Sequence, residues 1–285
     1  MKRAKFGPGG NSSLFEASGY RSSIKAPEWV FNMELDAYEY ECGNGVSGSE
    51  ETFATIGLNA ARYGVATSLH APYYISLSGI DPEKRLGSIK YITQSLNAAK
   101  CLGANIIVVH AGSASKIDRR DAMKLASDTL IHAVESCEEI GFGDVKIGLE
   151  TMGKINQLGT LDEIIELCKI DNRFAPVVDF GHLYARSLGT DIITSDDVKR
   201  VFDKIAKALG AEFAENLHCH YSCIAYSKGG ESKHLTFENG EFGPDPVIFA
   251  KTIAELGVAP TVICESAGTQ DIDAAFLKAV YTEAL

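Results

Sequence analysis

The sequence has no long run of apolar residues, although 45% of its 285 residues are hydrophobic. A membrane-spanning helix needs about 20 consecutive apolar residues and a signal peptide needs a shorter apolar core, and neither is found. We therefore expect a cytoplasmic protein that does not act at a membrane. The hydrophobic residues are spread along the chain and suffice for a large core without a disulfide or metal staple.

The chain is also short of positive charge, with 27 lysines and arginines against 38 acidic residues and a formal net charge of −11. This balance argues against a protein whose whole surface binds nucleic acid by releasing counterions. It leaves room for a local cationic site, because bound divalent metals add positive charge that a residue count omits.

A disulfide framework and an interdomain linker are missing as well. The seven cysteines are an odd number, and most of them lie in predicted helices or strands. This pattern indicates reduced thiols rather than paired ones. No stretch rich in proline, glycine and serine divides the chain, so residues 1–285 are predicted to form a single domain.

Short β-rich segments alternate with longer helical segments along the whole chain. Eight segments are predicted as strands: 4–7, 36–42, 66–72, 105–112, 145–152, 174–182, 216–222 and 261–266. Several are continuous runs rich in valine and isoleucine, as expected for parallel strands covered by helices. Eight strands, each followed by a helix, predict a (β/α)8 TIM barrel. The polar connection from 224 to about 243 is long for a barrel, which favours a functional role.

Side chains that can bind metals recur at or just beyond the C-terminal ends of six predicted strands, where TIM barrels carry their active sites. The candidates are His70, His110, Glu150, Asp179, His182, His220, His234 and Glu265. Each of them alone is more often a structural residue than a functional one. Together they indicate a metal centre, because converging carboxylates repel one another unless cations lie between them. His132 falls within a predicted helix and is interpreted as a surface or packing residue.

Eight candidate ligands exceed the needs of one ion, since a catalytic zinc takes about three protein ligands. Two ions that share a carboxylate are the minimum, and a third is compatible with the set. Imidazole and carboxylate ligands together suit zinc, manganese or iron better than magnesium or calcium. Paired cations of this kind favour the hydrolysis of phosphate esters.

The seventh strand carries two histidines, His218 and His220, which point to the same side because they are two residues apart. His220 is nearer the C-terminal end and is the predicted ligand. His218 would then fill a lower layer of the barrel or orient a neighbouring ligand.

The motifs SLHAPYYISL, VVHAGS, GLETMG, VVDFGH, HCHYS and ICES follow one another in an order and spacing that resemble endonuclease IV. This family comprises metal-dependent apurinic/apyrimidinic endonucleases with a xylose-isomerase-like TIM barrel. KFGPGG, HAPYY and the segment SKGGESKHLTF are most similar to its archaeal, endonuclease-IV-related branch. The resemblance implies cleavage of damaged double-stranded DNA 5′ to abasic sites, in base excision repair, by a metal-activated hydroxide. We expect the protein to be a monomer.

The resemblance also implies a role for each candidate residue. One zinc would be held by His70, His110 and Glu150, and Glu150 would bridge to a second zinc, completed by Asp179, His220 and Glu265. His182 and His234 would serve a third ion. Glu150 and Glu265 would be the catalytic carboxylates, with Glu265 orienting the attacking water or accepting its proton.

Two tyrosines, Tyr73 and Tyr74, follow the first candidate histidine, and the resemblance implies that they enter the DNA duplex at the lesion. The alternative is that both rings pack against neighbouring helices. One position departs from the family pattern, which has Asp-x-His after strand seven. Here Ser232 takes the place of the aspartate before His234, so Glu231 must reach from one residue earlier or the third site is weak or absent.

Two other functions stay open. A sugar isomerase or epimerase on the same barrel would need a single metal, which Glu150, Asp179, His220 and Glu265 could hold. A DNA-binding relative with weakened catalysis is the second alternative. The presence of both His70 and His110 favours the nuclease, because a mononuclear isomerase has less use for them.

Overall fold

Eight parallel strands surround a common axis in this computed structural model, which describes residues 2–138, 141 and 145–285. They are β1 (Lys5–Pro8), β2 (Ala37–Glu41), β3 (Ala66–His70), β4 (Ile106–His110), β5 (Lys146–Glu150), β6 (Phe174–Asp179), β7 (His218–Tyr221) and β10 (Thr261–Cys264). Strands β2 to β7 pair in sequence order, and β10 lies between β7 and β1. A hydrogen bond of 2.9 Å from Gly10 N–H to Glu39 O joins β1 to β2, so the ring is nearly closed. The predicted TIM barrel is confirmed.

Helices follow the strands and cover the outside of the barrel. Those of the described residues are α1 (Ser13–Ala17), α2 (Ala26–Asn32), α3 (Glu50–Tyr63), α4 (Pro82–Leu102), α5 (Arg119–Glu138), α6 (Leu161–Cys168), α7 (Phe180–Arg186), α8 (Ser195–Leu209), α9 (Ala211–Glu215), α10 (Pro246–Leu256) and α11 (Gln270–Glu283). Two 3₁₀ turns span Ser23–Lys25 and Phe237–Asn239. The sequence predicts a long helix after the fourth strand that extends to about residue 140, and its predicted end lies outside the described residues. Within them, no helix is both long and apolar enough to span a membrane.

Local sequence explains where several helices begin. Asp81 caps α4 by accepting a hydrogen bond from Glu83 N–H, and proline occupies the first turn, as the DPEK sequence predicts. Thr160 and Glu163 form a reciprocal capping box at the start of α6. These caps fix the ends of the loops that lead from the strands to the helices.

The structure confirms where the sixth strand ends. Within the segment 174–182, the predicted strand ends at Asp179 with His182 just beyond it, and in the structure β6 ends at Asp179 and α7 begins at Phe180. Asp179 ends the strand and caps the helix, since its side chain accepts a hydrogen bond of 2.7 Å from His182 N–H. A side-chain cap at this point makes a helical turn more favourable than further pairing in the sheet.

The long polar connection after β7 contains an antiparallel hairpin rather than an irregular loop. Its strands are β8 (Cys223–Ser227) and β9 (Gly230–Leu235). The hairpin folds back toward the barrel, where Glu231 N–H donates to Gly153 O at 3.1 Å and Ile155 N–H donates to Gly229 O at 3.0 Å. It therefore forms one wall of the space above the C-terminal ends of the strands.

Alternation along the strands divides the side chains between two environments. Large apolar side chains such as Leu69, Ile107 and Leu149 are buried between the strands and the helices. The residues that alternate with these along each strand point into the barrel. One part of this interior is apolar and includes Val108 and Val177. The opposite part of the interior is polar and carries the candidate site. All seven cysteines have free thiols, as predicted.

Candidate metal centre

The parallel register brings the candidate ligands to one level of the barrel. Glu41 is opposite His70 in the β2–β3 ladder, His110 is opposite Glu150 in the β4–β5 ladder, and Asp179 is opposite His220 in the β6–β7 ladder. Each of these residues stands at or beside the C-terminal end of its strand, where inward-pointing side chains converge. The short distances below follow from this common level.

Glu150 stands at the centre of the cluster and divides its two oxygens between different partners. Glu150 Oε2 lies 3.1 Å from His110 Nε2 and 3.5 Å from His70 Nε2. Glu150 Oε1 lies 3.0 Å from His220 Nδ1. Asp179 and Glu265 join this second side, with ligand atoms within 4.8 Å of one another. Glu150 thus belongs to two candidate ligand groups and could contribute one oxygen to each.

Asp179 uses its two oxygens for separate purposes. Oδ1 caps α7 through His182 N–H, as described above. Oδ2 faces the cluster, 3.2 Å from His182 Nδ1. The side chain is fully buried, so the cap holds a metal-competent oxygen in a defined direction.

A third group consists of His182, Glu231 and His234. Glu231 Oε2 lies 3.4 Å from His182 Nε2, and Glu231 Oε1 lies 4.0 Å from His234 Nε2. Glycine at position 153 makes room for this contact, because a Cβ there would lie 2.6 Å from Glu231 Cβ and 3.0 Å from His182 Cδ2. Glu231 is therefore the carboxylate that completes this group with His182 and His234.

A β-bulge in the hairpin explains why Glu231 rather than Ser232 reaches the site. Ala225 pairs with Lys233 and Tyr226 pairs with Glu231, so Ser232 is left out of the register. The extra residue shifts the alternation by one position. Glu231 and His234 consequently share the inner face, whereas the side chain of Ser232 is exposed.

Hydrogen bonds to the far ring nitrogens orient three of the histidines. Nδ1 of His70 is 2.9 Å from Ala71 O, and Nδ1 of His182 is 2.9 Å from Thr151 O. Nδ1 of His234 is 2.9 Å from Ser222 Oγ. In each case Nε2 is left to face a carboxylate of the cluster. Such partners fix the ring orientation of metal-binding histidines in general.

The structure assigns different positions to the two histidines of β7. His220 is fully buried and faces Glu150 and Glu265. His218 lies one layer lower, where its Nε2 is 2.9 Å from Glu39 Oε2. The sequence analysis did not identify Glu39 and Glu41. Together with Glu265, these two residues form a further group of converging carboxylates. Glu39 and Glu41 alternate with Tyr38 and Tyr40 along β2, so the two carboxylates lie on the other face of the strand from the two tyrosines. This alternation is the signal in the sequence that could have identified them.

The charge balance of the site indicates that cations belong in it. Burial by itself lowers the pKa of His70, but the carboxylates of Glu41 and Glu150 raise that pKa to about 10. For His182, burial is likewise outweighed by Asp179 and Glu150, and the pKa again rises to about 10. Burial raises the pKa of Glu265 to about 8. In the protein without metal, protons on these histidines and on Glu265 thus offset the negative charge of the cluster.

Unpartnered buried oxygens support the fit of a metal. Among the described residues, Glu150 Oε2 and Asp179 Oδ2 are buried without a hydrogen-bond partner. Buried polar atoms of this kind are costly unless a ligand satisfies them. Both face the cluster, and its mixture of imidazole and carboxylate donors is suited to zinc. The residues present therefore fit a metal centre.

The two tyrosines of the β3–α4 loop are both partly exposed, 58% for Tyr73 and 48% for Tyr74. The ring of Tyr73 lies 5.3 Å from that of His70 and 5.5 Å from that of His110, so it forms a wall of the metal pocket. Tyr74 contacts Tyr91 of α4 edge to face. The packing is therefore partial, and both rings keep a free surface.

The pocket above the cluster has a volume of about 370 Å³, and its lining includes Lys154 and Gln157. Two arginines hold the loop that carries these residues. Arg186 donates to the carbonyl oxygens of Met152, Lys154, Ile155 and Gln157. Arg119 donates to two of these carbonyls and pairs with Glu163. Both guanidinium groups are thus engaged in building the wall of the pocket.

Known proteins are similar to this chain in sequence and, at lower identity, in fold. A family model described as a xylose isomerase-like TIM barrel matches residues 28–280. An uncharacterized protein of Methanocaldococcus jannaschii is 31% identical over 262 residues, 91% of this chain and 92% of that protein. A probable endonuclease 4 of Acholeplasma laidlawii is 30% identical over 223 residues, 72% of this chain and 74% of its own length.

Solved structures share the fold at lower identity. A D-tagatose 3-epimerase-like protein has a TM-score of 0.70 and 22% identity, covering 98% of this chain and 96% of its own. Endonuclease IV from Thermus thermophilus also has a TM-score of 0.70, with 18% identity over 98% of this chain and 100% of its own. The same barrel thus occurs in proteins with two different activities. The fold does not distinguish between these activities, so the residues of the site must do so.

Proposed function

Since the chain belongs to the xylose isomerase-like TIM-barrel family, we propose that it is a metal-dependent phosphodiesterase that cleaves double-stranded DNA 5′ to abasic sites. The reaction would leave a 3′-hydroxyl and a 5′-deoxyribose phosphate, as a step of base excision repair. The proposal includes a zinc centre of two or three ions and a monomer that acts in the cytoplasm. The 30% identity to a probable endonuclease 4 supports DNA as the substrate.

The position of Glu150 is the observation that carries the proposal. Its two oxygens face two separate sets of ligands, one with His70 and His110 and one with His220. A mononuclear isomerase has less use for the first set. Two cations, one held by each set of residues, would suit the hydrolysis of a phosphodiester, because they would supply positive charge for the phosphate and lower the pKa of a water molecule.

The number of carboxylates supports more than one ion. Among the described residues, the metal-competent groups contain six carboxylates: Glu39, Glu41, Glu150, Asp179, Glu231 and Glu265. Three divalent cations would balance these charges. A single cation would leave an excess of negative charge, which would repel the phosphate of DNA.

The roles of the residues follow from their positions. His70, His110 and Glu150 would hold one ion, Glu150 with Asp179, His220 and Glu265 a second, and His182, Glu231 and His234 a third. When bound, the ions would lower the pKa of a water molecule and offset the charge of the phosphate.

Other groups of the chain would act on water and on the substrate directly. Glu265 Oε1 lies 3.2 Å from His220 Nδ1, and 17% of the side chain is exposed, so Glu265 can orient a water molecule in the pocket. Tyr73 covers His70 and His110 and keeps bulk water from that side. Its exposed face and that of Tyr74 would stack against the DNA at the lesion.

The test is incubation of the zinc-loaded protein with a duplex that contains one abasic-site analogue. We expect incision on the 5′ side with a 3′-hydroxyl product, and two or three zinc ions per chain by elemental analysis. Glu150→Gln should abolish incision, whereas His132→Gln should not, because His132 is exposed on α5. One metal per chain and no incision of the duplex would contradict the proposal.

The alternative is a sugar epimerase with one metal. It is favoured by the close grouping of Glu150, Asp179, His220 and Glu265, and by a second pocket of about 520 Å³ lined by Glu41, Asn44 and Gln270. The acceptor oxygens of these side chains can bind the hydroxyl groups of a sugar. Turnover of a ketose by the singly loaded protein would support this alternative, and binding of abasic DNA without incision would support a relative with weakened catalysis.

A further inference from the structure

A buried carboxylate crosses the barrel beneath the metal centre. Glu39 on β2 is fully buried, and its Oε2 accepts a hydrogen bond of 2.9 Å from His218 Nε2. Its Oε1 lies 2.8 Å from His220 Nε2. Strands β2 and β7 are not neighbours in the sheet. The contact therefore spans the interior and connects two strands that no backbone hydrogen bond joins.

The orientation of His220 explains what Glu39 can do. The Nδ1 atom of His220 lies 3.0 Å from Glu150 Oε1 and 3.2 Å from Glu265 Oε1. This is the nitrogen that a cation in the cluster would meet. A histidine that binds metal through Nδ1 must carry its proton on Nε2. Nε2 of His220 and Oε1 of Glu39 are both buried without a hydrogen-bond partner among the described residues, and the two atoms lie 2.8 Å apart. Glu39 Oε1 is therefore the carboxylate oxygen that a proton on Nε2 would face.

His218 completes the arrangement from below. His218 and His220 are two residues apart on β7, so both rings reach the same carboxylate from one face of the strand. The ring centroids are 5.5 Å apart at an interplanar angle of 71°. The hydrogen bond from His218 occupies Oε2 of Glu39 and thereby leaves Oε1 for His220.

We propose that Glu39 is a positioning residue, which holds His220 in the Nε2-protonated form with Nδ1 toward the metals, and that His218 holds Glu39 in place. The inference rests on the part of the proposed function that makes His220 a metal ligand. It applies equally to a nuclease and to an epimerase, since both would use this ligand. It concerns metal affinity and ring orientation rather than contact with the substrate.

The experiment measures zinc binding by chelator competition in Glu39→Ala, Glu39→Gln and His218→Gln. Loss of an outer partner of a metal-binding histidine commonly lowers affinity by roughly 10- to 100-fold, and we expect this loss for Glu39→Ala. Glu39→Gln keeps one acceptor for two rings and should lose less. Nitrogen-15 NMR of the zinc-loaded protein reports which ring nitrogen of His220 carries the proton.

Asp36→Asn is the matched control. Asp36 lies just before the other end of the same strand, where it accepts hydrogen bonds from Phe6 N–H and Lys278 Nζ. Its loss should affect stability without changing zinc affinity. Thermal unfolding of each metal-free variant separates a folding defect from a binding defect, and the near-isosteric Glu39→Gln is measured because Glu39→Ala opens a cavity.

Different results would overturn different claims. Unchanged zinc affinity and an unchanged His220 tautomer in the folded Glu39 variants would overturn the positioning role while leaving the metal centre intact. If His220→Gln binds zinc as tightly as the wild-type protein, the metal centre itself is wrongly assigned. Weaker zinc binding in the Glu39 and His218 variants, but not in Asp36→Asn, would support the inference.

Discussion

Asp179 illustrates how one residue can serve the fold and the site together. Its Oδ1 caps α7, and its Oδ2 is buried toward the metal cluster without a hydrogen-bond partner among the described residues. The sequence VVDFGH is compatible with either a cap or a metal ligand. The two carboxylate oxygens make both possible, because the strand ends and the helix begins at the same residue.

Substitution of Asp179 should separate these two roles. Asp179→Asn retains an acceptor for His182 N–H, so the cap should persist while zinc affinity falls. Asp179→Ala should also remove the cap, at a cost of about 1 kcal/mol relative to Asn. Urea unfolding of the metal-free variants measures the cap, and zinc titration measures the ligand. Equal stability of the two variants would show that the cap contributes nothing.

At the scale of elements, the hairpin decides which residue joins the third group. The bulge leaves Ser232 exposed and turns Glu231 inward to His182 and His234.

We predict that Glu231→Gln lowers the zinc content by one ion per chain and that Ser232→Ala does not change it. Ser232→Asp should not rescue Glu231→Gln, because its carboxylate would point to solvent. A metal count on the four proteins provides the measurement, and rescue by Ser232→Asp would contradict the bulged register.

The loop after β5 depends on an ion pair outside the metal centre. Burial by itself would raise the pKa of Glu163, but hydrogen bonds from Arg119 and from the backbone of Gly159 and Thr160 lower that pKa to about 2. A lowered carboxylate pKa stabilises the folded state above the unfolded value of 4.5, and the stabilisation is lost as the pH falls toward 2.

We therefore expect the wild-type protein to lose on the order of 2 kcal/mol from this group between pH 4.5 and pH 2, after a discount for the partial exposure of Arg119. Glu163→Gln should be less stable than the wild type at pH 6, and the difference should shrink below pH 4. Chemical unfolding at a series of pH values measures both curves. A difference that does not depend on pH would assign the effect to packing instead of the ion pair.

At the scale of the whole molecule, the barrel surrounds the candidate metal centre. There, bound cations and bound protons can each balance the negative charge of the same carboxylates. His70 and His182, with pKa values raised to about 10, carry protons at neutral pH when no metal is bound. Metal binding must displace these protons, since a ligating nitrogen cannot be protonated. The folded state alone assembles the ligands, so binding also stabilises the fold.

We predict that zinc binding at pH 7 releases protons and raises the melting temperature. At a free zinc concentration of 100 times the dissociation constant, one site contributes about 2.7 kcal/mol. Calorimetry in two buffers of different ionisation enthalpy measures the proton release, and thermal unfolding with and without chelator measures the stabilisation. An apparent binding enthalpy that is the same in both buffers would contradict the displacement of protons.

The sequence by itself determined the barrel and most of the candidate ligands. Strand and helix periods are local, and eight repeats of β then α admit few other folds. Residues such as His70, His110 and Glu150 stand where apolar runs end, and parallel pairing brings those ends to one level. Local order along the chain is enough for each of these steps.

Only the tertiary structure decided the remaining details. Glu39 and His220 are 181 positions apart in the sequence, and their contact depends on the closure of the barrel. The inward turn of Glu231 depends on one extra residue in the β9 register, which no local propensity marks. Such contacts arise from the geometry of paired strands, where a shift of one residue reverses the direction of a side chain.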